Sequence, residues 1–200
     1  VIKVENIEVA HFQAAIRGMR NPLESWGLSD SEGTVLGPKD SELALKLIKA
    51  GTDHSKFLRQ ITISMDITSS MSWWVEMDTY KVATVRNSTS RMHKLGSRLL
   101  TADDFSWDDE EGNVTLSKLR ILVLTDLNSR IMEWQVTKDA DLWRSIILDL
   151  PASYNYRSTW SGSYQVLRSI YHARKNHKQK EFRDFCRVLE ALPYSEFITI

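Results

Sequence analysis

The sequence predicts an α+β fold in which an antiparallel sheet is flanked by helices. Gln60 to Thr68 alternates strictly, with Ile61, Ile63, Met65 and Ile67 on one side and Thr62, Ser64 and Asp66 on the other. That is the pattern of a half-buried antiparallel strand. Strands are also few and are separated by pairs of helical segments, which a regular parallel βαβ array would not give. Two hundred residues with 42% apolar and 26% charged content fit one compact domain over residues 1–200 with an ordinary core.

Val1 to Val9 reads as a strand, and Phe12, Ala15, Ile16 and Met19 then follow at helical spacing until Arg20-Asn21-Pro22 breaks the helix. The stretch to Pro38 is rich in Ser, Gly, Asp and Pro and reads as a long loop. Asp40 or Ser41 is expected to cap the next helix, with Leu43, Leu47 and Ile48 on one face and Gly51 at its end. After the alternating strand, Ser69 or Ser70 is placed to cap a helix running through Lys81, and Val82 to Ser90 reads as irregular. Helices are expected over Thr115 to Trp134 and Asp139 to Leu148, the latter ended by Pro151. Tyr154, Tyr156 and Trp160 mark a strand, and helices over Tyr164 to Arg174 and Gln179 to Leu192 complete the chain.

Basic and acidic residues balance at 26 each, so no global field points to nucleic acid or an anionic membrane. The longest apolar run, Ile121 to Leu124, is too short to span a bilayer, and the expected location is cytoplasmic. The single cysteine, Cys186, lies among Phe182, Phe185 and Leu189 and reads as an inert buried thiol. Paired-histidine or multiple-cysteine spacing for a metal is absent, as are a Walker loop and a dinucleotide glycine fingerprint.

The most informative stretch is Thr79 to Arg91, which crowds hydroxyls, an amide and the cations Lys81, Arg86 and Arg91 together. Hydroxyls such as Thr89 and Ser90, the Asn87 amide and free backbone N–H groups can wrap phosphate oxygens, and arginine supplies a planar donor fork. A solvated Ser/Thr-rich loop is the other reading of the same residues.

These residues resemble the signature of the flavin-dependent thymidylate synthases, the thymidylate synthase-complementing proteins: R-H-R, two residues, S, one residue, N-E, one residue, S, one residue, R. Arg91 matches the last arginine, Thr84 and Thr89 replace the serines, and Lys81 replaces the third basic residue. Thr79, Tyr80, Arg86 and Asn87 depart from the pattern. Upstream, the helix ending at Gly51 and the turn Asp53-His54-Ser55-Lys56-Phe57 resemble the family's helix and its G-H-x-S/T-P-x-E-H turn, without the proline. Downstream, Leu150, Pro151, Arg157, Trp160, Leu167 and Arg174 fall in register, and His177, Gln179 and Glu181 match the H-A-Q-x-E that follows.

The resemblance implies the family's fold and a homotetramer with sites between subunits, binding FAD and a dUMP-like pyrimidine nucleotide. One carbon would pass from a folate to the pyrimidine ring, with a nicotinamide as reductant. It assigns nucleotide contact to Asn87, Thr89, Ser90, Arg91 and Arg174, and flavin contact to Lys81, Arg86, Ser163 and Ser169, the two serines standing where the family has asparagines. Arg17 to Asn21 and the Asp53 to Phe57 turn fall where the family touches its flavin. Ile147 stands where a further family arginine does. Two readings stay open: a divergent flavin-dependent enzyme, and a noncatalytic homologue acting as a nucleotide-binding or oligomeric interaction protein.

Overall fold

Four strands, β1 (Lys3–Ala10), β2 (Thr62–Ser70), β3 (Val85–Ser88) and β4 (Asn155–Ser163), form one antiparallel sheet in the order β1-β2-β4-β3. Nine helices accompany it: α1 (Phe12–Arg20), α2 (Pro38–Lys49), α3 (Met71–Met77), α4 (Arg91–Lys94), α5 (Lys118–Thr137), α6 (Ala140–Leu148), α7 (Tyr164–Arg174), α8 (Lys180–Glu190) and α9 (Glu196–Thr199). The computed structural model describes residues 1–200. No helix is long and apolar enough to cross a membrane.

β2 is built on the alternation seen in the sequence. Ile63, Met65 and Ile67 are buried while Thr62, Ser64 and Asp66 stay half-exposed, so a one-residue register slip would turn the whole apolar set outward. Ser70 caps α3 by accepting from the Trp73 amide at 3.3 Å. Asp139 caps α6 by accepting from the Leu142 amide at 2.7 Å.

Three expectations are corrected. The helix after Ser70 ends at Met77 rather than Lys81. The segment read as irregular, Val82 to Ser90, contains β3, a short edge strand whose residues are all exposed and therefore carry no alternation. The cap of α2 is neither Asp40 nor Ser41: the helix starts at Pro38, whose missing N–H suits the first turn. Asp30, from the loop before it, accepts from the amides of Lys39 at 2.9 Å and Asp40 at 3.0 Å.

The chain gathers into two compact units. The first comprises residues 1–3, 67–79 and 87–158, and the second 4–66, 80–86 and 159–200. The core of the first unit packs Leu127 and Ile131 of α5 and Ile146 of α6 with Leu95, Leu100, Phe105, Trp107 and Leu150. Phe105 stacks on Trp107 with centroids 4.3 Å apart. In the second unit, α7, α8 and α9 pack together. Phe12 stacks on Tyr194 at 4.4 Å, and Phe57 meets Phe197 edge-on at 6.0 Å.

Asp40 is fully buried in the second unit, one turn into α2. Its Oδ1 accepts from Arg20 Nε at 2.6 Å and Nη2 at 2.5 Å. Its Oδ2 accepts from the hydroxyls of Ser29 at 2.7 Å and Ser31 at 2.6 Å, and from the amides of Asp30 at 3.2 Å and Ser31 at 3.1 Å. Burial alone would raise the carboxyl's pKa, but the hydrogen bonds from Ser31, Ser29 and Arg20 and the guanidinium charge outweigh it and hold the group below the usual aspartate value.

Two outcomes follow. Asp40→Asn leaves the Arg20 charge buried without its partner, so urea unfolding should show a loss of about 3–5 kcal/mol. Because the folded carboxyl titrates below its unfolded value, its contribution is complete above pH 3.8 and is lost as pH falls further. Acid unfolding of the wild type against Asp40→Asn should therefore converge below that value, and parallel curves would refute the assignment.

Candidate functional site

The signature segment begins in the second unit. The Thr84 hydroxyl donates to the Tyr80 carbonyl at 2.9 Å and Ala83 adopts a left-handed φ of 58°, closing a turn that presents Tyr80. Lys81 is exposed on this turn, and Arg86 is exposed in β3. Arg174, the last residue of α7, is half-buried and meets the turn directly. Its Nε donates to the Tyr80 hydroxyl at 2.9 Å, and its guanidinium lies 5.5 Å from the Tyr80 ring centroid and 4.8 Å from that of Phe182. Nη1 sits 2.8 Å from His177 Nε2. The His177 ring thus does more than project into solvent.

Ser163 is buried at the start of α7 but makes no side-chain cap. Ser169 is exposed and donates to the Gln165 carbonyl at 3.1 Å. Neither serine lines the cavity described next, nor do Lys81 and Arg86.

That cavity, in the second unit, measures about 820 Å3, within the roughly 300–1,000 Å3 of small-molecule and cofactor sites. Its wall combines Gly18 to Leu23, Ser25 and Leu28 with Lys39, Leu43 and Leu47 of α2, and with Asp53, His54, Lys56 and Phe57. Leu43 and Leu47 were expected on one apolar face with Ile48. Instead Asp40, Ala44 and Ile48 form the buried face, and the two leucines sit one helical turn apart facing the cavity. Apolar walls with Lys39, His54 and Lys56 among them suit a flat ring body carrying an anionic tail. The Arg17-to-Asn21 stretch supplies Gly18 to Asn21 of this wall and the Arg20 anchor.

In the first unit, the Thr89 amide donates to the Arg157 carbonyl at 2.9 Å. Thr89 lines a smaller cavity, about 340 Å3, with Thr68, Lys94, Arg98, Tyr154, Asn155 and Arg157, and with Asp103 and Asp104. Arg98 forks onto Asp104, which also accepts from the Thr101 amide at 2.8 Å. Burial opposes ionisation of Asp104, but these bonds prevail and hold its carboxyl low. Asn87 and Ser90 are exposed, and Arg91 stands outside this cavity. The Arg91 guanidinium lies 5.3 Å from the Tyr156 ring centroid and donates to Met71 Sδ at 3.9 Å. Of the four signature residues assigned to nucleotide, the cavity therefore takes Thr89 alone. Lys94, the last residue of α4, and Arg98, in extended backbone beyond it, line the cavity but were missed by sequence reasoning, which had no periodic signal to find them.

The fold is that of the flavin-dependent thymidylate synthases. No family model matches the sequence, and no curated protein matches it. The crystal structure of thymidylate synthase X from Helicobacter pylori with FAD and dUMP is similar over 100% of this chain and 97% of that one, with a TM-score of 0.76 and 17% identity. A second structure of the flavin-dependent thymidylate synthase from Helicobacter pylori, complexed with FAD and dUMP, covers 98% of this chain and 97% of that one, at TM-score 0.73 and 17% identity.

Cys186 belongs to neither site. It is 2% exposed on α8 and its thiol is pushed up to about 11, first by burial and then by the nearby Glu190 charge. A thiol reagent at pH 8 should leave the native protein unlabelled and label one site on unfolding. Rapid native labelling would contradict the buried placement.

Proposed function

We propose that this chain is a divergent flavin-dependent thymidylate synthase-like protein that binds FAD and a dUMP-like pyrimidine nucleotide and transfers a one-carbon group to the pyrimidine ring. The observation that carries the reading is the composition of the 820 Å3 cavity. The two segments that the resemblance assigns to flavin contact, one before residue 22 and one around residues 53–57, line that same space although they lie far apart in sequence. The fold of proteins crystallised with FAD and dUMP supports the same assignment.

Lys39 and Lys56 would neutralise the cofactor's phosphates, His54 would donate a ring N–H to them, and Leu43, Leu47, Met19 and Phe57 would exclude water from its ring. A flavin held there supplies hydride chemistry, so no nucleophilic side chain is required of the protein. Arg174 would donate to a pyrimidine carbonyl. The chain's contribution is thus placement and charge stabilisation.

A specific observation favours the noncatalytic reading as the second: Arg91 and Arg174 are both engaged by aromatic rings of the chain itself. For assembly, we propose a homo-oligomer, on the ground that α5 exposes Leu119, Leu122, Met132 and Val136, an apolar surface that a monomer would leave wet.

Protein incubated with FAD and passed through gel filtration should keep a flavin absorption band. Leu43→Arg, which drives a charge into the cavity wall, should lower FAD affinity at least about tenfold, as expected when a charge loses its solvent. A colourless wild type would refute the flavin reading. Sedimentation giving a monomer would refute the assembly.

A further inference from the structure

We infer that Tyr80 is an internal competitor for Arg174: its phenol occupies the guanidinium edge that a pyrimidine carbonyl would take, and a nucleotide must displace it. The inference rests on the nucleotide reading of Arg174 above and names the residue of this chain that sets the strength and selectivity of that contact.

The geometry makes the phenol a surrogate ligand. Its oxygen stands 2.9 Å from Arg174 Nε, a hydrogen-bond distance to a neutral oxygen acceptor such as a ring carbonyl. The Phe182 ring lies 4.8 Å from the guanidinium, within cation–π range, so it still restrains the donor edge when the phenol leaves.

His177 meets the guanidinium at Nη1. His177 Nε2 is 2.8 Å from Arg174 Nη1, and its Nδ1 is 3.2 Å from the Gln179 amide nitrogen. A neutral imidazole has one ring nitrogen free to accept, so the ring cannot accept from both donors at once. Of these two partners Tyr80 is therefore the better matched.

Tyr80 is also mounted for release. It opens a turn closed by one hydroxyl-to-carbonyl bond from Thr84, and the following residues Lys81, Val82 and Ala83 are all exposed. Moving the phenol outward strips no core. A neutral carbonyl gains little over a neutral phenol at Nε, whereas an acceptor carrying charge gains more. The exchange at Nε is therefore near neutral for a uracil carbonyl, and the nucleotide's other contacts supply its net affinity.

The test is titration of wild type, Tyr80→Phe and Tyr80→Ala with dUMP by calorimetry, with Tyr80→Phe/Arg174→Lys as the control. Removing the hydroxyl should tighten dUMP binding roughly tenfold, the scale of one hydrogen bond to a charged group. Tyr80→Ala should shift affinity in the same direction, and the Arg174→Lys control should abolish the gain. Equal, weaker or absent binding in Tyr80→Phe overturns the inference and makes the tyrosine a positioning residue or a purely structural one. FAD retention on the same samples separates the two ideas. Protein that rejects FAD but gains dUMP affinity in Tyr80→Phe sinks the flavin reading and leaves this inference standing. Protein that keeps FAD but shows no gain sinks this inference alone.

Discussion

The second unit depends on a carboxylate with no contact to water. Asp40 sits one turn into α2, and Arg20 ends α1, so their ion pair ties together the two ends of a connection with little regular structure of its own. A buried charge persists only where its lone pairs are met. Arg20, Ser29, Ser31 and the Asp30 amide meet them here, and Asp30 in turn caps the helix that carries Asp40. The large cavity inherits its shape from this arrangement. Its walls on either side, Asn21 to Leu28 and Lys39 to Leu47, are continuations of the two partners.

Sequence reasoning succeeded where the information is local and periodic. β2 follows from its alternation, and α7 follows from Tyr164, Leu167, Ile170 and Tyr171, all buried. Ser70 was readable as a cap because a cap bonds two or three residues onward. The Asp40 arrangement was not readable: its main partner lies 20 residues away, and the helix start is capped from a preceding loop. β3 escaped because both of its faces are wet, which removes the period-two signal. The site residues divide the same way. The signature spacing singled out Thr89, which lines a cavity, whereas the turning of Arg91 onto Tyr156 depends on a strand 65 residues away in sequence.

A recurring device is the cation laid over an aromatic ring. Arg91 on Tyr156, Arg120 on Trp107, Lys138 on Trp134 and Arg174 between Tyr80 and Phe182 all use it. Each contact orders a long side chain before any partner arrives, which reduces the entropy lost on binding. It also satisfies the cation within the chain. In a protein with a formal charge near zero, such cations are less available to nonspecific anions, and the local geometry around each one governs what it can hold.

β3 closes one side of the sheet, and with β4 as its only neighbour its outer backbone groups face away from any partner strand. Exposed edges of this kind invite pairing between chains unless they are short or carry charge. β3 is four residues long and includes Arg86, so the segment rewritten relative to the thymidylate synthase signature also serves as a guard against strand addition. Neutralising Arg86 to probe anion recognition would strip that guard, and a loss of soluble protein would then imitate a loss of binding.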